Sequence, residues 1–219
     1  MFSLIALFAG ALVGAAAPAS VRARIVAVPD LVDAQAVVPE LQVELRYARP
    51  DNFMKEAIYG DLDRCYLHRD AAAMLARAQA ALRKANPELR LRVYDCARPQ
   101  FVQERMWEIV KGTPQEPYVA DPAKRSIHNF GCAVDVTAAT LEGKSLDMGT
   151  EHDHFGDLAR VDREKAFLKT GDLTMAQHAN RLVLRRAMTG AGWRVLETEW
   201  WHFDCASQAE TRRRFRPIP

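Results

Sequence analysis

The chain has 219 residues, 49% of them hydrophobic, and a formal net charge of +2. That length and apolar content suit one core and a single domain. A charge so close to balance is too small to suggest nucleic acid as a partner, and the one basic cluster, Arg212-Arg-Arg214-Phe-Arg216, reads as a solvated end rather than a binding patch.

Residues 1–14 form an apolar run, and Ala15-Ala-Ala17 and Ala17-Pro-Ala19 each offer a small-residue cleavage site. The run is too short to span a bilayer, so residues 1–19 are expected to be a secretory signal peptide, with a retained anchor as second choice. One departure is that no Lys or Arg precedes the apolar run. Residues 20–219 then form the mature domain, exported and periplasmic, with no stable membrane insertion after processing. Val21 to Glu40 reads as an extended lead-in, and Leu41-Gln-Val-Glu-Leu45 alternates as a strand. Asp51 to Arg64 is rich in turn residues and reads as a long loop.

Asp70 is placed to cap a helix whose apolar positions Ala71, Met74, Leu75, Ala78, Leu82 and Ala85 follow the helical period. Leu89 to Tyr94 alternates as a half-buried strand. Pro99 disfavours the α region at Arg98, which puts Arg98 at a strand-to-helix junction. The following helix runs through Val102, Met106, Ile109 and Val110 to Gly112, and Pro114 to Lys124 is a polar loop. Cys132 to Val136 is an apolar run of strand type. Thr174-Met-Ala-Gln177 is a capping box opening a helix to about Met188, with Gly190 past its end. Trp193 to Leu196 and Trp200 to Phe203 are short closing strands. Strands and helices alternate too irregularly for a doubly wound sheet. The expected fold is α+β: helices packed on a small, mainly antiparallel sheet with a metal site at its open face.

That metal site rests on two motifs, Ser126-Ile-His128-Asn-Phe-Gly131-Cys-Ala-Val-Asp135 and Glu199-Trp-Trp-His202. The six histidines stand at 68, 128, 152, 154, 178 and 202, so the choice of ligands is narrow. Two neutral imidazoles and one carboxylate suit Zn²⁺, and a three-ligand site keeps the open position that catalysis needs. Gly131 allows a turn that a Cβ would resist, and a carboxylate embedded in an apolar strand, as Asp135 is, needs a metal or a hydrogen-bonded partner. Glu199, three residues before His202, is the natural proton acceptor for a water activated there. His152 and His154, in the charged loop Glu151-His-Asp-His154, read as exposed.

With these motifs in place, the chain resembles the D-alanyl-D-alanine dipeptidases, within the wider group of zinc D,D-peptidases. The resemblance covers about Leu41 to Asp204 and rests on five segments in order: Arg46 to Phe53, Tyr94 to Gln100, Ser126 to Asp135, Met148 to Asp153, and Glu197 to His202. It implies that His128, Asp135 and His202 hold one zinc per chain. It makes Glu199 the general base, and later the acid toward the leaving amine. It implies that Arg98 stabilises the oxyanion, that Asp153 receives the free amino terminus, and that Tyr47 and Ser126 line the pocket. The implied substrate is the small dipeptide D-alanyl-D-alanine, in cell-wall dipeptide turnover. Alternatives are a D,D-carboxypeptidase or endolysin-type peptidase on intact peptidoglycan, and a zinc-stabilised binding module without turnover.

Four cysteines in an exported chain allow three pairings into two disulfides. The zinc would draw Cys132 and Cys205 together, which leaves Cys65 with Cys96. Free buried thiols, or a thiolate as fourth ligand, are the alternatives.

Overall fold

The computed structural model describes residues 19–219, so the leader expected over 1–19 lies outside the described part except for Ala19. The first departure from expectation comes at once, because Val21 to Glu40 is not extended. Ser20 accepts a hydrogen bond from the Ala23 amide and opens α1 (Val21–Val26), which buries Val21 and Ile25 one turn apart. After β1 (Leu31–Asp33), the Asp33 carboxylate accepts from the Gln35 amide and opens α2 (Ala34–Val37). Helices of one or two turns leave too little periodicity to read in a sequence.

The strand expected over Leu41–Leu45 shrinks to β2 (Gln42–Val43). Residues 51–64 form the expected loop, organised by buried Asn52, whose amide donates to the carbonyls of Arg46 and Glu56 at 3.1 and 2.8 Å. Next come β3 (Tyr66–His68) and α3 (Arg69–Ala85). The cap of α3 is the His68 side chain, which accepts from the Asp70 amide; Asp70 itself sits in the first turn, where its charge favours the helix dipole. β4 (Leu89–Asp95), α4 (Gln100–Val110) and β5 (Ala133–Thr140) follow.

α5 (Glu164–Thr170) leads into α6 (Met175–Gly190), where Thr174 and Gln177 make both bonds of the capping box. α6 continues to Gly190, two residues beyond the expected end. β6 (Arg194–Val195) and β7 (His202–Asp204) close the sheet. α7 (Gln208–Arg214) is capped by Ser207. The basic tail is therefore not a free end. Phe215 and Ile218 are buried, and the Ile218 backbone accepts from the Gln100 amide and donates to the Asn129 carbonyl.

The architecture is α+β. One sheet has strand order β2-β4-β5-β7-β6, antiparallel throughout except for the β2–β4 pair, and β1 pairs with β3 in a second, antiparallel ribbon. β5 is buried along nearly its whole length, which is why it reads as an apolar run rather than an alternating one. α3 and α6 pack together over the sheet, with Leu75, Leu82, Leu184 and Met188 meeting Leu91, Val134 and Phe203 in one core. Both expected disulfides are formed, Cys65–Cys96 and Cys132–Cys205, with Cα separations of 5.6 and 5.1 Å. Among the described residues no helix is long and apolar enough to cross a membrane.

Candidate active site

Strand register assembles the site. Asp135 on β5 pairs with His202 on β7, and across the other edge Asp95 on β4 pairs with the same Asp135. The β4–β5 ladder shifts between Val93 and Asp95, an irregularity that re-aims the strand end. Asp95, Asp135 and His202 thus form a cross-strand row at one end of the sheet.

His128 joins them from a 3-10 helix, Ile127–Phe130, entered through a capping box in which Ser126 and Asn129 satisfy each other's backbone. Gly131 ends this turn at φ 63°; a Cβ there would meet the Leu31 side chain at 2.5 Å and the His68 backbone at 3.0 Å. The glycine is required by both conformation and space.

Each imidazole has one nitrogen committed elsewhere. His128 Nδ1 donates to the Cys96 carbonyl at 2.8 Å, and His202 Nε2 donates to Asp204 Oδ1 at 2.9 Å. This turns the lone pairs of His128 Nε2 and His202 Nδ1 toward Asp135 Oδ1. The three atoms lie 3.2 Å (His128 to His202), 3.4 Å (His128 to Asp135) and 3.0 Å (His202 to Asp135) apart. Bonds of about 2.0–2.1 Å at tetrahedral angles set donor atoms ~3.3 Å apart. The donor set therefore fits a zinc ion in chemistry and spacing, with both histidines oriented by outer partners as metal ligands are. Burial works against charge on Asp135, yet the imidazoles of His128, His152 and His202 hold its carboxyl well below the usual range.

Glu199 stands beside this triad, its carboxylate 4.0 Å from His202 Nδ1. Burial pushes its carboxyl up from the ordinary 4.5 to about 7. The neighbouring tryptophans are buried, and Trp200 is pinned by its indole N–H donating to Thr150 Oγ1 at 2.8 Å.

Arg98 is buried and locked. Its Nε and Nη2 donate to Asp95 Oδ2 at 2.9 and 2.5 Å, and Nη1 donates to Gln103 Oε1 at 2.8 Å. The other Asp95 oxygen accepts from the Tyr59 hydroxyl at 2.6 Å and the Cys96 amide at 2.9 Å. Three of five guanidinium N–H groups are thus committed, which leaves two for a ligand.

Asp153 lies with positive φ, 61°, and accepts from the Tyr47 hydroxyl on both oxygens at 3.0 and 3.1 Å. Burial raises its pKa. His154 is exposed as expected, but His152 is not: its side chain is only 2% exposed. Its ring packs against Tyr94 and Trp201, with Nε2 3.4 Å from Asp135 Oδ2 and Nδ1 3.3 Å from Asp153 Oδ2. The charged flanks of the loop conceal this, because the aromatics that cover the ring come from two distant strands or their approaches.

All eight residues singled out from the sequence (Tyr47, Arg98, Ser126, His128, Asp135, Asp153, Glu199 and His202) line one cavity of about 430 Å³. Sequence reasoning missed three partners: Asp95, Asp204 and His152. Asp95 lies inside the Tyr94 to Gln100 segment and Asp204 two residues beyond His202, and that proximity is the signal the sequence carries for them.

Comparison with known proteins identifies the family. A family model described as D-ala-D-ala dipeptidase matches residues 28–218. The D-alanyl-D-alanine dipeptidase of Escherichia coli (strain K12) is 35% identical over 180 residues, covering 82% of this chain and 86% of that protein. The D-alanyl-D-alanine dipeptidase of Streptomyces coelicolor is 34% identical over 82 residues, covering 37% of each chain.

Proposed function

Because the chain belongs to the D-ala-D-ala dipeptidase family of peptidases, we propose that it hydrolyses free D-alanyl-D-alanine with one zinc ion held by His128, Asp135 and His202. The observation that carries this reading is the single cavity in which that triad, Glu199 and the Tyr47–Asp153 pair converge. When bound, zinc supplies Lewis acidity that brings the pKa of a water down to ~7.

The chain's own groups divide the remaining work. Asp153, steadied by the Tyr47 hydroxyl, receives the substrate ammonium and so selects for a free amino terminus. The two uncommitted N–H groups of Arg98 face the oxyanion as it develops, and their fixed placement removes the need for reorganisation at that moment. Glu199 takes the proton of the attacking water and delivers it to the departing amine. Burial, which raises this carboxyl in the metal-free chain, favours a group that can both accept and return a proton. One water is consumed, the peptide C–N bond breaks, and two molecules of D-alanine leave.

Export to the periplasm, with residues 1–19 removed, completes the proposal. Two disulfides support it, because such bonds persist in oxidising compartments. The physiological task is then turnover of dipeptide released from the cell wall.

The test is hydrolysis of D-Ala-D-Ala before and after chelation, with zinc returned, beside L-Ala-L-Ala and N-acetyl-D-Ala-D-Ala. The expected result is zinc-dependent cleavage of the free D,D-dipeptide alone. Cleavage of the acetylated peptide would move the assignment to a D,D-carboxypeptidase, and zinc binding without any turnover would leave a binding module.

A further inference from the structure

Only four non-glycine residues among those described have a positive φ: Asp30, Lys55, Arg125 and Asp153. Two of the four, Arg125 (φ 56°) and Asp153 (φ 61°), line the same cavity and carry opposite charges. Left-handed backbone at residues with a Cβ is unfavourable and persists where the surroundings enforce it, often at ligand-binding positions. Both positions are enforced here. Arg125 closes a tight turn in which the Lys124 amide donates to the Asp121 carbonyl at 2.9 Å and the Arg125 amide donates to the Pro122 carbonyl at 3.2 Å. The next residue, Ser126, is the buried cap whose amide is held by Asn129 Oδ1 at 2.8 Å. A rigid anchor therefore carries the exposed guanidinium to the cavity rim.

The charges of the cavity are unevenly matched. Arg98 is bound to Asp95 and Gln103. Asp153 is bound to Tyr47, and Asp135 belongs to the triad. Arg125 pairs with no carboxylate among the described residues, so of the two arginines that line the cavity it is the one whose guanidinium is open to a ligand. The two ends also connect to the triad differently. Asp153 reaches it through His152 and the outer oxygen of Asp135, whereas Arg125 reaches it through Ser126 and His128. A free dipeptide is a zwitterion whose scissile carbonyl lies between its ammonium and its carboxylate.

We infer that Arg125 receives the C-terminal carboxylate of the dipeptide, as the counterpart of Asp153 at the ammonium. This rests on the dipeptidase reading above. It assigns the selection of a free carboxyl terminus to a residue that neither binds the metal nor moves a proton. A guanidinium suits this task because it presents a planar fork to both carboxylate oxygens.

The experiment compares wild type with Arg125→Gln and Arg125→Lys on D-Ala-D-Ala and on D-alanyl-D-alaninamide, whose carboxylate is masked. Calorimetric binding of both compounds to the zinc-loaded Glu199→Gln protein, with and without Arg125→Gln, accompanies the kinetics. Arg125→Gln is expected to raise KM for the free acid about tenfold or more, in line with loss of a charge-assisted bond, while kcat stays within about threefold. The amide should be unaffected or slightly improved, so the preference for acid over amide collapses. Arg125→Lys should recover part of that preference. If wild type cleaves the dipeptide and the acid-to-amide ratio is the same in Arg125→Gln, the Arg125 assignment falls and the dipeptidase reading stands. If zinc-loaded wild type neither binds nor cleaves the dipeptide, both fall.

Discussion

His202 and Asp204 lie two residues apart on the same short strand, and the imidazole Nε2–H of one donates to the carboxylate of the other at 2.9 Å. Residues i and i+2 share a face of a strand, so β7 brings its own orienting partner for the ligand it supplies. Asp204→Asn should weaken zinc binding by about 10–100-fold while leaving the fold intact. Competition against a chromophoric chelator reads this directly, and unchanged affinity would remove Asp204 from the metal's support.

Glu199 makes a prediction about stability in the zinc-free protein. Its folded carboxyl titrates at about 7 rather than 4.5, because burial disfavours the charge. The folded state therefore holds a proton that the unfolded state has released between those values. Stability falls as pH rises through that window, by about 3 kcal/mol once pH exceeds 7. Glu199→Gln has no such charge to bury. Denaturant unfolding of chelated protein at pH 5 and pH 8 should show the wild type losing more stability than the variant, and parallel losses would contradict the assignment. In the zinc-loaded enzyme the same substitution should lower kcat by about 10²–10⁴-fold with zinc still bound.

Arg98 and Asp95 should separate catalysis from folding. Arg98→Met removes the oxyanion donor and is expected to cost about 10²–10³ in kcat. Asp95→Ala leaves Arg98 buried without its charge partner and should destabilise the fold by about 3–5 kcal/mol. Thermal unfolding beside steady-state kinetics distinguishes the two. A stable Asp95→Ala protein would mean that Arg98 finds its compensation elsewhere.

His152→Phe keeps an aromatic ring against Tyr94 and Trp201 and removes both nitrogens that face Asp135 and Asp153. KM for the dipeptide should rise several-fold, with kcat changing less, because Asp153 loses one of its two neighbouring polar groups. An unaltered KM would reduce the ring to packing alone.

The parts of the site legible in the sequence are those whose geometry is local. His128, Gly131 and Asp135 belong to one turn and the strand it feeds, so residue type and local context point to a ligand pair there, whereas the roles of Ser126, Tyr47, Arg98 and Asp153 come only from the family resemblance. Glu199 and His202 are similarly close. Asp95 escaped notice because its role depends on the ladder shift between Val93 and Asp95, which no single-strand pattern reveals. His152 escaped because its burial is tertiary, imposed by rings that arrive from β4 and from the approach to β7. The same division holds for the fold. The long helices α3, α4 and α6 were readable from periodicity and caps, whereas α1 and α2 were too short, and α7 was masked by its charges.

The cross-strand row has one further consequence. Side chains alternate faces along a strand, so a slip of β7 against β5 by a single residue would turn His202 to the opposite face and present Phe203 to Asp135 in its place. The same slip would pull apart the backbone neighbourhood of Cys132 and Cys205, where the Cys205 amide donates to the Cys132 carbonyl at 2.7 Å. The disulfide beside the site therefore works as a registration pin. It fixes which residue of one strand faces which residue of the other, and with that the identity of the atoms offered to the metal.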